Sequence, residues 1–146
     1  MRLAIQRVSR AAVRVGDRTV GEIGPGLLIL VGVGKDDRPE EATWLAEKLA
    51  HLRIFEDHHG KMNRSVLDAG GEVLVVPEFT LYGDAGKGRR PSWDAAAPPE
   101  VARERVEALA RAVEAHGVVV RRGAFQEHME VELVNDGPVT ILLDGR

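Results

Sequence analysis

Two apolar runs limit the folds open to this chain. LLILVGV, Leu27 to Val33, and VLVV, Val73 to Val76, carry no alternating polar side chains, so neither suits a strand with one face in water. Such runs belong in strands covered on both faces, at the centre of a sheet. A chain of 146 residues hides roughly two thirds of its unfolded surface on folding. It can therefore cover a sheet as a single domain, residues 1–146, without metal or disulfide support. Cysteine is absent, which removes disulfides, thiolate metal sites and Cys nucleophiles, and a reducing, cytoplasmic location is expected.

The flanking segments read as a mixture of strands and helices. Val13 and Val15 alternate around Arg14, and Gly16-Asp17 predicts a tight hairpin into Arg18 to Ile23. Asp37-Arg38-Pro39 signals a helix start, with Leu45, Leu49 and Leu52 as its apolar face. Arg53 to Glu56 suits a short strand, and DHHGKMNRS after it a polar loop. VLVVPEFTLY, Val73 to Tyr82, reads as the second buried strand, and Pro77 inside it predicts an end, bulge or edge. Gly83 to Pro99 is a long irregular segment, of the kind that is functional or mobile. A second helix opens at Pro98-Pro99-Glu100, runs through Ala102, Val106, Leu109 and Val113, and stops at Gly117. Three strands are then expected: VVVRR, MEVELV, and Pro138 to Leu143. The fold class implied is α/β, a single compact domain with a curved mixed or barrel-like sheet and two main helices.

Several chemistries are excluded. The longest unbroken apolar run, Leu27 to Val31, is far short of the roughly 20 residues that cross a bilayer, so no membrane association is expected. Arg2, Arg7, Arg10 and Arg14 interrupt the opening segment, which argues against a secretion signal. The histidines, His51, His58, His59, His116 and His128, show no HExxH or comparable spacing, so neither metal nor cofactor is expected. GVGKD is not a P-loop, and no serine sits in GxSxG. Lys+Arg 20 against Asp+Glu 23 gives a net charge of −3, too acidic to coat nucleic acid through net charge, although a local basic patch can still hold phosphate.

Three strings remain. PEFTLYGD, Pro77 to Asp84, leaves a buried strand, and strand ends commonly build sites. NDGPVT, Asn135 to Thr140, joins two expected strands; its simplest reading is a turn. GDAGKGRRPSW is either a solvated loop or an anion site in which Gly amides, Lys87, Arg89 and Arg90 meet phosphate.

FTLYGD, then KGRRPS, then Gly123, Phe125 and Met129, then NDGPVT, in that order and spacing across nearly the whole chain, resemble the D-aminoacyl-tRNA deacylase family. The resemblance implies a compact barrel-like α/β homodimer that hydrolyses the ester joining a D-amino acid to tRNA, with glycyl-tRNA also a possible substrate. It places Glu78, Phe79 and Thr80 at the catalytic position, with Phe125 and Met129 in the pocket. Gly137 and Pro138, joined by a cis peptide, enter from the partner subunit to reject L residues. Lys87, Arg89 and Arg90 are expected to dock the tRNA acceptor end. The sequence departs from the family strings at Pro77 and Glu78, where Ser and Gln are usual, and at Gln126 and Glu127, where Gly and Ala are usual. Pro77 removes an amide donor and a hydroxyl, and an ionised Glu78 cannot donate a hydrogen bond. The alternatives are a noncatalytic tRNA-binding module and an esterase for small D-configured compounds.

Overall fold

The computed structural model describes residues 1–146. Its strands are β1 (Arg2–Val15), β2 (Arg18–Ile23), β3 (Gly26–Gly32), β4 (Phe55–Glu56), β5 (Met62–Arg64), β6 (Glu72–Pro77), β7 (Val119–Arg122) and β8 (Glu130–Asp144). The helices are α1 (Glu41–His51), α2 (Val66–Ala69) and α3 (Pro99–Glu114), with a 3₁₀ turn at Phe79–Tyr82. The main sheet runs β2-β1-β3-β6-β7, and β8 pairs with β1. β3, β6 and β7 run parallel to one another, while β1 is antiparallel to β2, β3 and β8, so the sheet is mixed.

Both apolar runs form inner strands with two buried faces. Leu27, Ile29, Val31, Val73 and Val75 belong to the larger core, where α1 and α3 cover the sheet with Leu45, Leu49, Leu109 and Val113. Leu28, Leu74 and Val76 point the other way, into a smaller core with Val8, Val13 and Ile23. No helix covers that second face. The sheet curls over itself instead, bringing β2 back across β6 and β7. The approach is so close that a Cβ on Gly21 would lie 2.5 Å from the Arg122 carbonyl oxygen and 3.0 Å from Leu74 Cδ1.

The hairpin at Gly16-Asp17 forms as its residues require, with Val15 opposite Arg18 and Gly16 at φ 58°. Four local expectations are corrected. Helix α1 starts at Glu41 rather than at the Asp37 signal, because the Asp37 carboxylate accepts from the Gly34 amide at 2.6 Å and lies 2.6 Å from the buried Met1 amino group. FTLY leaves the strand as a 3₁₀ turn, since Pro77 ends β6. MEVELV and Pro138–Leu143 are one strand, β8, whose register against β1 slips on either side of Val8. Asn135-Asp136-Gly137-Pro138 is thus an irregularity inside a strand, not the turn between two. The DHHGKMNRS segment also carries β5, and α2 follows, capped by Ser65, which accepts from the Asp68 amide at 3.1 Å.

Gly21→Ala is expected to destabilise the chain by about 1–3 kcal/mol, the cost of overpacking, because the obstructing atom is backbone rather than a movable side chain. Urea denaturation of the variant against the parent chain checks this.

Candidate active site

An apolar cleft of about 450 Å³ opens where β3 and β6 end, walled by Val31, Val33, Phe79, Ala97, Ala102 and Phe125. Its floor continues the core through Val106 on α3. Phe79 is 56% exposed and meets Trp93 edge-on, with ring centroids 5.3 Å apart. Trp93 belongs to the irregular segment Gly83–Pro98, which is pinned to the end of β3: Ala97 N donates to the Val33 carbonyl at 2.9 Å and Lys35 N to that of Ala95 at 3.0 Å. Trp93 is a wall residue that the strings alone do not single out, since only the folding back of this segment carries it over Phe79.

The 3₁₀ turn supplies the polar atoms at the rim. Glu78 N donates to the Val31 carbonyl at 2.8 Å, whereas the amides of Phe79 and Thr80, first in the turn, have no acceptor within the chain. They are orphan donors of the kind every helical start leaves. Thr80 is exposed, its hydroxyl makes no hydrogen bond, and no histidine lines the cleft. Nothing here activates Thr80 as a nucleophile. Glu78 places the one carboxylate on an otherwise largely apolar lining, and it has no ion-pair partner. Tyr82, at the far end of the turn, has its phenol pushed up to about 12, by burial first and by the Asp37 charge second. It stays neutral at pH 7 and is no base.

Phe125 lies in the cleft wall beneath the Arg103 guanidinium, 4.4 Å from the ring centroid. Met129 sits behind it rather than on the lining, packed against the smaller core, its Sδ accepting from the Ala124 amide at 3.3 Å. Gln126 adopts φ 57°, a left-handed conformation that glycine takes without penalty. Gln126, with its Cβ, occupies it under strain.

Gly137 and Pro138 are joined by a cis peptide and exposed, at the side of the sheet away from their own cleft. The 3₁₀ turn is tied to the Asp144 end of β8, because Arg2 donates from Nη1 to the Leu81 carbonyl at 2.9 Å and from Nε to Asp144 at 3.1 Å. From Pro138 to Asp144 the strand covers roughly 20 Å. One protomer therefore does not unite Gly137-Pro138 with Phe79. The loop is held firmly nonetheless. Buried Arg7 donates from Nε to the Asp136 carbonyl at 2.8 Å and from Nη1 to that of Ile54 at 2.7 Å, while Asn135 Oδ1 accepts from Val139 N at 2.7 Å. Gly137 is at φ 150°, and a Cβ there would meet Val139 N at 2.8 Å. Arg7 supports this loop and was missed in the sequence, where its only signal is an arginine among apolar residues of a strand, whereas Asn135 opens the NDGPVT string.

Lys87, Arg89 and Arg90 project from a ribbon closed by reciprocal 2.8 Å hydrogen bonds between Asp84 and Ser92. All three are exposed, and none makes an ion pair with Asp84, Asp94 or any other carboxylate. The Asp84 side chain instead accepts from the Gly86 amide at 2.8 Å.

A curled mixed sheet covered by helices on one face, with an apolar cleft rimmed by free amides and a remote Gly-cis-Pro loop, makes this a small α/β protein with a candidate site at one end of its sheet. The sequence profile of the family described as D-Tyr-tRNA(Tyr) deacylase matches residues 4–144. The chain is 59% identical over 146 residues to the D-aminoacyl-tRNA deacylase of Desulforudis audaxviator, covering 100% of this chain and 98% of the other. It is also 59% identical over its full length to that of Heliobacterium modesticaldum, covering 97% of the relative. A solved structure of a c-Myc DNA unwinding element binding protein superposes with TM-score 0.92 at 35% identity, over 99% of this chain and 98% of that one. A probable eukaryotic D-amino acid tRNA deacylase shares the fold, with TM-score 0.85 at 18% identity, over 97% of each chain. The chain belongs to the D-Tyr-tRNA(Tyr) deacylase family.

Arg7→Ala is expected to destabilise the chain by about 2–4 kcal/mol, because it strips the buried Ile54 carbonyl and the half-buried Asp136 carbonyl of a charged donor. Arg7→Lys should recover little, since one ammonium cannot reproduce the guanidinium fork. Chemical denaturation of both variants is the check.

Proposed function

We propose that this chain is an editing hydrolase: it cleaves the ester between a D-amino acid and tRNA, and acts as a homodimer in which each cleft is completed by the partner's Gly-cis-Pro loop. The observation that carries the activity is whole-length identity to curated D-aminoacyl-tRNA deacylases. The observation that supports the dimer is the distance between the loop and the cleft of its own protomer. A two-fold axis that sets β8 of one copy by the 3₁₀ turn of another repairs both clefts at once.

The ester is an activated bond, so positioning and oxyanion stabilisation can carry much of the barrier. A water adds to the carbonyl carbon, the unpaired amides of Phe79 and Thr80 receive the negative charge on its oxygen, and collapse releases the ribose 3′-oxygen, which takes up a proton. The neighbouring 2′-hydroxyl orients the water. Gly137 and Pro138 act by exclusion: rigid backbone carbonyls accept from the substrate ammonium and leave room for hydrogen only where an L side chain projects. A D side chain points out of the cleft and glycine has none, so both enter. Phe125 and Glu78 line the entry, the carboxylate facing the cationic ammonium. Met129 supports the wall from behind. The exposed ribbon of Lys87, Arg89 and Arg90 grips the acceptor-end phosphates, and the substrate pool is the cytosolic aminoacyl-tRNA. No helix is long and apolar enough to cross a membrane.

Matched D- and L-aminoacyl-tRNA and a short D-aminoacyl ester, assayed side by side, separate the readings. Rapid turnover of the D-tRNA ester alone is expected. Equal turnover of the L form contradicts exclusion, turnover of the free ester at the same efficiency favours a small-molecule esterase, and tRNA binding without turnover favours a noncatalytic module. Thr80→Ala should retain activity, since the donor at that position is backbone.

Replacing Lys87, Arg89 and Arg90 together with Ala should weaken tRNA binding and flatten its salt dependence, by about one unit of log–log slope for each phosphate that is no longer neutralised. Catalysis at saturating tRNA should persist. Filter binding across a salt series reads both quantities, and an unchanged slope removes the docking role.

A further inference from the structure

The C-terminal turn of α1 and the turn that closes α3 bring together three metal-ligating side chains that the hydrolytic site does not use. Glu47 and His51 stand at i and i+4 on α1 and share one helix face. His116 reaches them from beyond α3, its backbone amide held by the Val113 carbonyl at 3.0 Å. Glu47 lies between the two imidazoles: Oε1 is 3.7 Å from His51 Nε2, and Oε2 is 3.6 Å from His116 Nε2. Both separations exceed the roughly 2.7–3.2 Å of an N–H···O hydrogen bond, so neither ring is committed to the carboxylate.

The spacing suits an ion. One donor atom from each residue lies within 4.8 Å of the other two. A tetrahedral metal with bonds of about 2.0–2.1 Å holds its ligands roughly 3.4 Å apart, which small side-chain rotations reach from this arrangement. The mounting is rigid, because α1 and α3 pack through Leu45, Leu49, Leu109 and Val113, all fully buried. Nearby cations are engaged elsewhere: the Lys48 ammonium lies over the Trp44 ring at 5.4 Å, and Arg53 Nε donates to the Asn63 carbonyl at 3.0 Å.

We propose that Glu47, His51 and His116 form a binding site for a divalent transition-metal ion, zinc being the best match, which clips α1 to α3. Two imidazoles and a carboxylate are a borderline N/O donor set that favours zinc over calcium or magnesium, and water completes the shell. The site is missing from any reading of motif spacing because its ligands come from α1 and from the turn after α3, far apart in sequence. The ion takes no part in hydrolysis: along α3, roughly 20 Å separates Ala102 in the cleft wall from His116. Its effect is on stability, since an ion that binds only the assembled helices favours the folded state.

The test is calorimetric titration of zinc into the chelator-treated full chain, with thermal melts of the same samples. One zinc per chain and a raised melting temperature are expected. His51→Ala and His116→Ala should each weaken binding by about tenfold or more and remove the melting shift, while both variants melt like the parent without metal. Glu47→Gln should weaken binding too, and a His58→Ala/His59→Ala double variant should leave it unchanged. Cobalt should give the visible absorption of a low-symmetry site in the parent chain and not in His116→Ala. Zinc binding that survives both single His variants, or that disappears in the His58/His59 variant, overturns the proposal, as does no uptake at millimolar zinc.

Discussion

Strand β1 is the member on which the rest of the structure depends, because it is hydrogen-bonded on both sides along most of its length. On one side its first half pairs with β3 and its second half with β2; on the other, β8 follows it from Arg2 to Arg14. A strand that changes partners midway must bend, and the register shifts at Val8 and Val13 are where it does so. The bend closes the smaller core without a helix. It also puts Arg7 opposite the slip in β8, where its guanidinium reaches the carbonyl of Asp136.

The same geometry divides the chemistry between two places. Residues leaving β3 and β6 at one end of the sheet wall the cleft, while the irregular stretch of β8 projects Gly137 and Pro138 near the other. On the proposed reading, neither is complete alone. The cleft offers free amides and apolar walls but nothing that distinguishes a D from an L carbon, and the loop offers a rigid, glycine-dependent backbone with no substrate surface of its own. In the proposed homodimer symmetry reconciles them, and the exposed edge of β8, with Val134 and Leu142 uncovered, is the kind of surface that a second copy covers.

Much of this was legible in the chain. The apolar runs placed the inner strands, the 3.6-residue pattern of Ala102, Val106, Leu109 and Val113 placed α3, and Gly16-Asp17 placed the hairpin. What was not legible depended on partners distant in sequence. Asp37 looked like a helix cap, yet the Met1 amino group and the Gly34 amide claim its carboxylate. NDGP looked like a turn because its residues favour turns locally, but β1 continues past it and keeps β8 a single strand. Arg7 looked like any strand arginine until Ile54 and Asp136 were brought to it. The positions of FTLYGD and the Gly-Pro pair were readable from the resemblance, whereas the separation of the two within one protomer was visible only in three dimensions.

The central claim is that each working cleft is built from two chains, and subunit mixing tests it most directly. One chain carries Ala102→Trp, which fills the cleft, and the other carries Gly137→Ala, which spoils the loop. Each homodimer should be inactive. Unfolded and refolded together in equal amounts, the two should regain about a quarter of the parent activity, because half the dimers then pair one intact cleft with one intact loop. A mixture as inactive as its components, with heterodimers demonstrably present, or an active Gly137→Ala homodimer, would contradict the account.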